Sequence, residues 1–398
     1  MKEWLKEYDV PFRTLFYAAS ILLFIISLYT ESLLLFLISL FFCFVNGMIS
    51  YYFRQIAENL HLVNATQRIR MFVNDEDVMS LPIANEGKLP LFTGTFEFVL
   101  DDYAECPQLH FVTGGKSQNR YSFPISLNHR SLQSADIQLK GKKRGVAKFR
   151  GVHVGVHDWF GLGKMRMSYD PMYRTEIIIY PELESVYGLE RIRTTWQGRQ
   201  PVEYSLDEDL TSPSGSREYL SSDPFNRVHW KASAKTGELQ TKIFEKTSGM
   251  TWVLILNVTR DRAHPVDLER EISCLAFICK FAAEHGIPFE LYMNVKTRGK
   301  DRMMHLQTGE GREQLGKALE LLARVNINSV LVPADQLLAY VDRLEDRNSI
   351  MIVCNLSYND DNRGTLHKWR KKGFGLYRVE HREGGSYVIN IANRKAVS

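Results

Sequence analysis

The sequence predicts a multidomain membrane protein with a two-helix transmembrane hairpin, an antiparallel β-sandwich and an α/β domain. Three observations lead to this fold class. Two uncharged apolar runs lie near the N-terminus, short apolar runs separated by Gly, Asn and Asp follow to about Tyr180, and strand-like runs then alternate with helix-like runs. These patterns are typical of membrane helices, of antiparallel strands and of a helix-covered, largely parallel sheet, respectively.

The hairpin is predicted within an N-terminal segment of residues 1–59, with its two helices at about 14–30 and 33–53. A helix rises ~1.5 Å per residue, so ~20 apolar residues cross a hydrocarbon core of ~30 Å. Both runs approach this length. A cleaved signal peptide is the competing interpretation, but no small-residue cleavage site follows the first run and a second run comes at once.

Charged residues around the hairpin predict its orientation. Lys2, Lys6 and Arg13 precede the first helix and Arg54 follows the second, whereas the short connection contains only Glu31. Cations near membrane helices are retained on the cytoplasmic side. We therefore expect both termini and the soluble body to be cytoplasmic.

The soluble body is predicted to contain two domains and a connection. Evenly spaced strands with turn residues predict a β-sandwich at residues 60–185. Gly, Pro and Ser punctuate residues 186–248, which are predicted to be a linker. Residues 249–398 begin with the buried strand TWVLILNV and continue with an amphipathic helix that Gly286 closes, which predicts the α/β domain.

Composition excludes several classes of function. The 398 residues carry a formal net charge of only +4, which gives no global reason to expect nucleic acid as a partner. The five cysteines form no CxxC pair, so reduced core thiols are expected rather than a disulfide framework or a zinc site. They are Cys43, Cys106, Cys274, Cys279 and Cys354.

The bilayer is the one partner that the composition itself indicates. Trp4, Tyr51 and Tyr52 are predicted to be interfacial anchors. Two basic clusters are either solvated surfaces or contacts with anionic headgroups. They are Lys140, Lys142, Lys143, Arg144, Lys148 and Arg150, and then Lys368, Arg370, Lys371 and Lys372.

Similar polar residues follow two predicted strands of the α/β domain. Asn257 and Thr259 come after the first strand, and Asn355 comes after a later one. A divalent cation at this edge would normally need an anionic ligand, for which Asp261, Asp360 and Asp361 are near enough in sequence to substitute. Hydrogen bonds that cap the loops are the ordinary role of such amides. No metal and no cofactor is therefore expected.

The densest polar stretch runs from Ser216 to Glu245. Such a mixture of charged and aromatic residues is expected either in a charge-paired latch between domains or in an enzymatic site, and the latch is favoured because no nucleophile is recognisable. The candidate residues are Arg217, Glu218, Tyr219, Asp223, Arg227, His229, Trp230 and Lys231.

In this stretch the sequence resembles a known family, the membrane-associated proteins with domain of unknown function 58. The order and spacing of the matching residues extend over nearly the whole chain, including the hairpin. They are Arg217-Glu218-Tyr219, Asp223, Arg227 and His229-Trp230-Lys231-Ala232-Ser233-Ala234, and upstream Lys143-Arg144-Gly145, Asp158-Trp159-Phe160-Gly161-Leu162 and Tyr180-Pro181.

The resemblance implies a von Willebrand factor type A-like C-terminal domain and association with a MoxR-type AAA+ ATPase. Some relatives are encoded beside a transglutaminase-like membrane protein, which is a further expected partner. The metal-site pattern Asp-x-Ser-x-Ser of such domains would fall on Asn257, Thr259 and Asp261, and its leading aspartate is lost. The sequence therefore predicts a non-enzymatic adaptor that serves membrane or cell-envelope clients. The alternative is an enzyme of envelope metabolism with a site around Asp223, Arg227, His229 and Lys231.

Overall fold

Two apolar helices form a hairpin near the N-terminus of the computed structural model: α1 (Pro11–Tyr29) and α2 (Leu33–Asn59). The Ser39 hydroxyl donates to the carbonyl of Ser20 at 2.8 Å, which joins the two helices. In the described part of the chain, α2 is the helix that is long and apolar enough to cross a membrane, and a shorter apolar stretch lies at Tyr17–Tyr29. One candidate span near the N-terminus is thus present.

The structure describes most of the chain. The described residues are 4–9, 11–63, 67–115, 117–159, 161, 163–169, 175–197, 208–220, 223–246, 251–259, 268–297, 303–326, 328–344, 349–356 and 360–391. They form two compact units, Met1–Glu182 and Leu183–Ser398. The boundary lies close to the end of the predicted β-sandwich at residue 185.

The first unit is rich in antiparallel strands, as the sequence predicts. One sheet has the order β1-β11-β10-β5-β8-β7 with β12 and β3 attached, and the other has the order β2-β4-β9-β6. The exception to antiparallel pairing is β3 beside β12. The strands are β1 Trp4–Asp9, β2 Leu60–Leu62, β3 Arg68–Phe72, β4 Glu76–Asn85, β5 Leu91–Asp101, β6 Ala104–Glu105, β7 His110–Gly114, β8 Gln118–Leu127, β9 Ser131–Gly141, β10 Gly145–His157, β11 Lys164–Tyr169 and β12 Glu176–Tyr180.

The core of the first unit includes the end of α2. Phe53 and Ile56 are 1% exposed and belong to the same apolar cluster as Phe98 and Leu139 from the two sheets. The helix passes directly into β2, because its last residue Asn59 precedes the first residue of that strand. No linker therefore separates the candidate membrane helix from the β-rich unit.

The strand β1 holds the other end of the hairpin. It pairs with β11 along its whole length. Trp4 is buried, stacks edge-on against Tyr169 and donates its indole N–H to the carbonyl of Leu60 at 2.7 Å. The prediction that Trp4 is an interfacial anchor is therefore wrong, because its ring fills the protein core. Both ends of the hairpin are attached to the same unit.

The second unit contains a seven-stranded mixed sheet of order β13-β21-β20-β19-β16-β17-β18. Its four central strands, β20, β19, β16 and β17, are mutually parallel, and β18 and β21 run antiparallel to their neighbours. The strands are β13 Val186–Tyr187, β14 Glu208–Glu218, β15 Gln240–Lys246, β16 Trp252–Leu256, β17 Phe289–Lys296, β18 Met303–Gly309, β19 Ile350–Cys354, β20 Gly375–Arg382 and β21 Gly385–Asn390.

Helices cover both faces of this sheet. Val253 and Ile255 of β16 pack with residues of α7 and α8, whereas Trp252 points the other way and stacks on Phe281 of α5. All five residues of β16 are buried, as expected of a central parallel strand. The helices are α3 Leu189–Gln197, α4 Trp230–Thr236, α5 Leu268–Glu284, α6 Gly311–Arg324, α7 Ala334–Leu344 and α8 Asp360–Lys372.

Residues 186–248, which were predicted to be a linker, contain regular elements. The strand β13 pairs with β21 and so extends the seven-stranded sheet, while β14 and β15 form a separate hairpin with α4 between them. Gly286 has a φ of 63° and ends α5, as predicted. Four cysteines are buried and all five are free. Burial raises the pKa of Cys106 to about 12, so this thiol stays protonated at neutral pH.

Candidate functional site

Three asparagines close the carboxyl edge of the central strands in the second unit. The Asn257 amide donates to the carbonyl of Asn355 at 3.0 Å, and the Asn355 amide donates back to the carbonyl of Asn257 at 2.7 Å. The Asn355 amide also lies 3.3 Å from the Thr259 hydroxyl. Asn355 has a φ of 54°, a left-handed conformation that asparagine tolerates better than most residues. The two strand ends are thus bonded to each other.

Asn294 of β17 completes this network. Its side-chain oxygen accepts from the backbone N–H of Val258 at 2.7 Å, and its amide donates to the carbonyls of Val258 and Val332, both at 2.9 Å. Only 3% of Asn294 is exposed. We term Asn257, Asn294 and Asn355 the amide cluster. All three side chains act on backbone groups, which is the loop-capping role that the sequence predicts for such amides.

The sequence analysis missed Asn294. A lone amide inside the apolar strand Phe289–Lys296 was the available signal, because a buried polar side chain needs a partner. Of the proposed substitute ligands, Asp261 lies outside the described residues, and Asp360 and Asp361 are the first two residues of α8. Among the described members of the amide cluster and its surroundings, the edge is neutral and its amide groups are used for hydrogen bonds.

A second candidate site is the segment from Arg217 to Gln240, which we term the signature segment. The Arg217 guanidinium binds both carboxylate oxygens of Asp223 at 2.7 Å. The same carboxylate accepts from the backbone N–H of Leu220 and the hydroxyl of Thr241, both at 3.0 Å. The Tyr219 hydroxyl donates to the Asp223 carbonyl at 3.0 Å. These bonds fold the chain after β14 into a fixed turn.

The electrostatics of this turn favour the ionised carboxylate. The hydrogen bonds from Arg217, then those from Leu220 and Thr241, lower the pKa of Asp223 to about 2, against a small opposing effect of desolvation. The partner guanidinium has its pKa raised by the same pair. Asp223 therefore carries a negative charge at neutral pH and is engaged on both oxygens. A general acid would need the opposite arrangement.

The next part of the signature segment is capped by His229. Its Nδ1 accepts from the backbone N–H of Ala232 at 3.1 Å, which places it at the N-cap of α4. Its own backbone N–H donates to the carbonyl of Gln240 in β15 at 2.7 Å. Gly237, with a φ of 78°, ends the helix. His229 at the start and Gly237 at the end thus cap this short helix and position it against the β14–β15 hairpin.

Aromatic side chains of the signature segment face outward. Phe225 and Trp230 are 64% and 60% exposed, and their rings meet edge to face with centroids 5.6 Å apart. Leu220 and Leu239 are also exposed. An exposed cluster of large apolar groups held in a fixed backbone is typical of a protein-binding surface.

The structure thus divides the eight sequence-predicted residues among different tasks. Arg217, Tyr219 and Asp223 meet in the turn, His229 caps α4, and Trp230 joins Phe225. Glu218 is exposed, and its backbone carbonyl accepts from Arg217 at 3.0 Å. Lys231 is exposed on α4, and Arg227 is half-buried at the end of the 3-10 turn Phe225–Arg227.

A further polar group in the second unit escaped sequence analysis. Glu184, Cys274 and His381 bring three potential metal-ligating atoms within 4.8 Å of one another. The buried hydroxyl of Ser386 lies between two of them, 2.7 Å from a Glu184 oxygen and 2.8 Å from His381 Nδ1. Because these residues come from distant parts of the chain, no spacing in the sequence indicates the group. The Ser386 hydroxyl thus links Glu184 to His381, so both side chains have a hydrogen-bond partner within the protein.

Two lysines of each basic cluster share one neighbouring carboxylate. Lys142 and Lys143 each bond to Asp102 at 2.8 Å, and Lys368 and Lys372 both bond to Asp342. Desolvation alone would raise the pKa of Asp102, but the bonds from the two lysines lower it to about 2.

No family model and no curated protein matches the sequence. Among solved structures, an ASH/PapD-like domain of human CEP192 is 12% identical over 30% of this chain and 84% of its own, with a TM-score of 0.18. The secreted serine protease VesC from Vibrio cholerae is 10% identical over 38% and 28%, with a TM-score of 0.19. A non-cellulosomal cohesin from Archaeoglobus fulgidus is 9% identical over 36% and 99%, with a TM-score of 0.18. Similarity at this level carries no argument about function.

Proposed function

We propose that the chain is a non-enzymatic, membrane-tethered adaptor of the domain of unknown function 58 type, which binds a MoxR-type AAA+ ATPase and acts on membrane or cell-envelope clients. The observation that carries the proposal is the exposed pair Phe225 and Trp230, presented by a turn that the Arg217–Asp223 ion pair fixes. Large aromatic side chains in a preorganised backbone supply most of the energy of many protein interfaces.

The second unit would serve as a von Willebrand factor type A-like domain. Its four parallel central strands and its helices on both faces support this assignment. The amide cluster occupies the edge where such a domain would hold a cation. Asn257 and Asn355 are neutral amides whose N–H groups bond to the backbone there, so neither supplies the anionic oxygen that a divalent cation normally needs.

Both α1 and α2 would cross the membrane, with the termini and the two units in the cytoplasm. The attachment of β1 and of the α2 end to one unit supports a hairpin with both ends on the same side. The cations before and after the hairpin support the cytoplasmic side. A transglutaminase-like membrane protein is the other partner that we propose from the family resemblance.

The alternative enzyme around Asp223, Arg227, His229 and Lys231 receives less support. Asp223 is bound by Arg217, and His229 Nδ1 is occupied by the N-cap bond. Both groups would have to give up structural bonds before they took part in catalysis.

The proposal is tested by affinity purification from native membranes with the full chain as bait. We expect an AAA+ protein to be recovered with the wild type and lost with Trp230→Ala. Leu344→Ala removes an exposed apolar group elsewhere in the second unit and is expected to retain the ATPase. Recovery of the ATPase in equal amounts with Trp230→Ala would reject this surface, and its absence from the wild-type sample would reject the partner.

A further inference from the structure

The candidate membrane helix α2 has two different halves. Its most apolar window is mostly exposed, whereas Tyr52, Phe53 and Ile56 near its end are buried in the core of the first unit. The helix enters this core without a linker. The residue at which α2 leaves a bilayer therefore also fixes how deep the neighbouring loops lie relative to the membrane surface.

The residue at which α2 reaches the membrane surface follows from helix geometry. A polar connection of residues 30–32 precedes Leu33, and the first charged residue after it in α2 is Arg54. From Leu33 to Tyr52 a helix rises about 28 Å at ~1.5 Å per residue, close to the ~30 Å of a hydrocarbon core. Tyr51 and Tyr52 therefore reach the boundary between acyl chains and headgroups on the side of the soluble units.

A cavity opens at this boundary. Its volume is about 220 Å³, and its wall is almost wholly carbon. Met48, Ile49 and Tyr52 of α2 form one side, and Leu89, Asp158 and Trp159 from loops of the β-rich unit form the other. Pockets for drug-sized ligands usually measure ~300–1,000 Å³ and carry a few precisely placed polar groups. This cavity is smaller, and its accessible surface is apolar although Asp158 contributes to the lining, so it suits a segment of hydrocarbon.

Aromatic side chains surround the mouth of the cavity. Trp159 meets the tilted ring of Tyr52 and the edge-on ring of Phe92 with centroids 5.6 and 5.3 Å away, yet Trp159 and Phe92 remain 50% and 56% exposed. Tyr51 is also exposed. Exposed Trp, Tyr and Phe at this depth are typical of side chains that lie in the interface of a bilayer.

The turn that carries Trp159 is fixed by its sequence. The backbone N–H of Asp158 donates to the carbonyl of Gly163, and the N–H of Gly161 donates to the carbonyl of Asp158, each at 3.3 Å. Gly161 has a φ of 68° with open space around it, so the turn requires glycine for its conformation rather than for room. The two backbone bonds of Asp158 thus hold the neighbouring indole of Trp159 beside α2.

We propose that this cavity holds one acyl chain of a membrane phospholipid, and that Trp159 and Phe92 immerse this end of the β-rich unit in the adjacent leaflet. The inference rests on the membrane insertion of α2 and is independent of the ATPase. Burial of hydrocarbon against the aromatic wall provides the affinity, and the directly attached helix brings the cavity to the bilayer without further cost in orientation.

The first test measures contact between Trp159 and lipid chains. The full chain is reconstituted in phosphatidylcholine vesicles in which the acyl chains are brominated either near the headgroup or near the chain end. We expect quenching of tryptophan emission by the upper-chain bromines, and loss of that component in Trp159→Phe. Equal quenching of the wild type and Trp159→Phe would overturn the proposal.

The second test fills the cavity. Native mass spectrometry of the full chain, released from membranes in mild detergent, is expected to show one retained phospholipid. Met48→Trp and Leu89→Phe, which fill the cavity from opposite walls, are expected to lose it. Leu40→Trp places a similar ring on an exposed part of α2 away from the cavity and is expected to keep it. Retention by all variants, or retention by none including the wild type, would contradict the proposal.

Failure of this inference is distinguishable from failure of the proposed function. Alkaline carbonate extraction shows whether the chain is integral to the membrane. Extraction into the soluble fraction would reject the membrane tether and the lipid site together. An integral chain without Trp159-dependent quenching would reject the lipid site alone, and recovery of the ATPase is measured separately.

Discussion

The amide cluster and the signature segment lie in the same unit but use their polar side chains differently. Asn257 and Asn294 are at most 5% exposed, and their side chains bond to backbone groups of the described residues. In the signature segment, Arg217 and Asp223 hold a turn whose neighbours Phe225 and Trp230 stay in solvent. Buried amides thus bond the strand ends of the sheet together, whereas a half-exposed ion pair shapes an exposed surface.

The largest expected effect is the loss of a buried amide. Asn294→Ala leaves the N–H of Val258 and two carbonyls without their partner, and one orphaned buried group costs ~1–3 kcal/mol. We expect the free energy of unfolding to fall by about 3 kcal/mol. Chemical denaturation of the full chain in detergent measures it. Asn328→Ala, at an exposed position, is the control, and a similar change for both variants would contradict a stabilising amide cluster.

A charge at the strand end should have a smaller effect that depends on pH. Asn257→Asp replaces the N–H donor that faces the carbonyl of Asn355 with an acceptor, which raises the pKa of the new carboxyl. Such a group stays protonated in the folded state while the unfolded one ionises above ~4, so stability falls as the pH rises. We expect a loss of about 2 kcal/mol at pH 7 and less at pH 4.

The measurement is denaturation of the wild type and Asn257→Asp at the two pH values. Asn328→Asp places the same charge at an exposed site, and its free energy of unfolding should match that of the wild type at both pH values. A stability of Asn257→Asp that does not change with pH would argue that this edge is open to water.

Substitutions of His229, the N-cap residue of α4, distinguish the adaptor hypothesis from the enzyme hypothesis. His229→Ala removes the acceptor of the Ala232 N–H and is expected to cost about 1 kcal/mol of local helix stability, whereas Asn is among the best N-cap residues. Hydrogen exchange of the α4 amides should therefore be faster in His229→Ala and restored in His229→Asn. ATPase recovery should follow the same order. If His229→Asn lost ATPase recovery while the α4 amides stayed protected from hydrogen exchange, the imidazole itself would be needed, which would favour a catalytic role.

The smallest effect is a local transition in acid. Because the folded pKa of Asp223 is lowered to about 2, its ion pair contributes fully above the unfolded value of ~4 and is lost as the pH falls through the folded value. The amide resonance of Leu220, which donates to this carboxylate, should report the transition by NMR on the full chain. Asp223→Asn is expected to abolish the transition without global unfolding. A transition that persists in this variant must arise from another group.

Local chemistry made several elements predictable. The apolar run of α2, the alternation in the antiparallel strands and the capping glycine after α5 each act over a few residues, so their patterns are visible in the chain. The signature segment was also recognisable, because most of the residues that bond to one another within it are at most about 25 positions apart in sequence. Trp4 was assigned wrongly, since a tryptophan beside a membrane helix has the same pattern whether it faces lipid or a strand from elsewhere.

The sequence by itself determined the apolar helix α2, the alternation of strands and helices after residue 249, and the polar residues that follow β16 and β19. Only the tertiary structure decided that Asn294 joins Asn257 and Asn355, that Glu184, Cys274 and His381 surround Ser386, and that Trp159 reaches α2. These groups are separated by tens to hundreds of positions. Their meeting depends on strand register and on which face each residue occupies, and packing of the whole chain sets both.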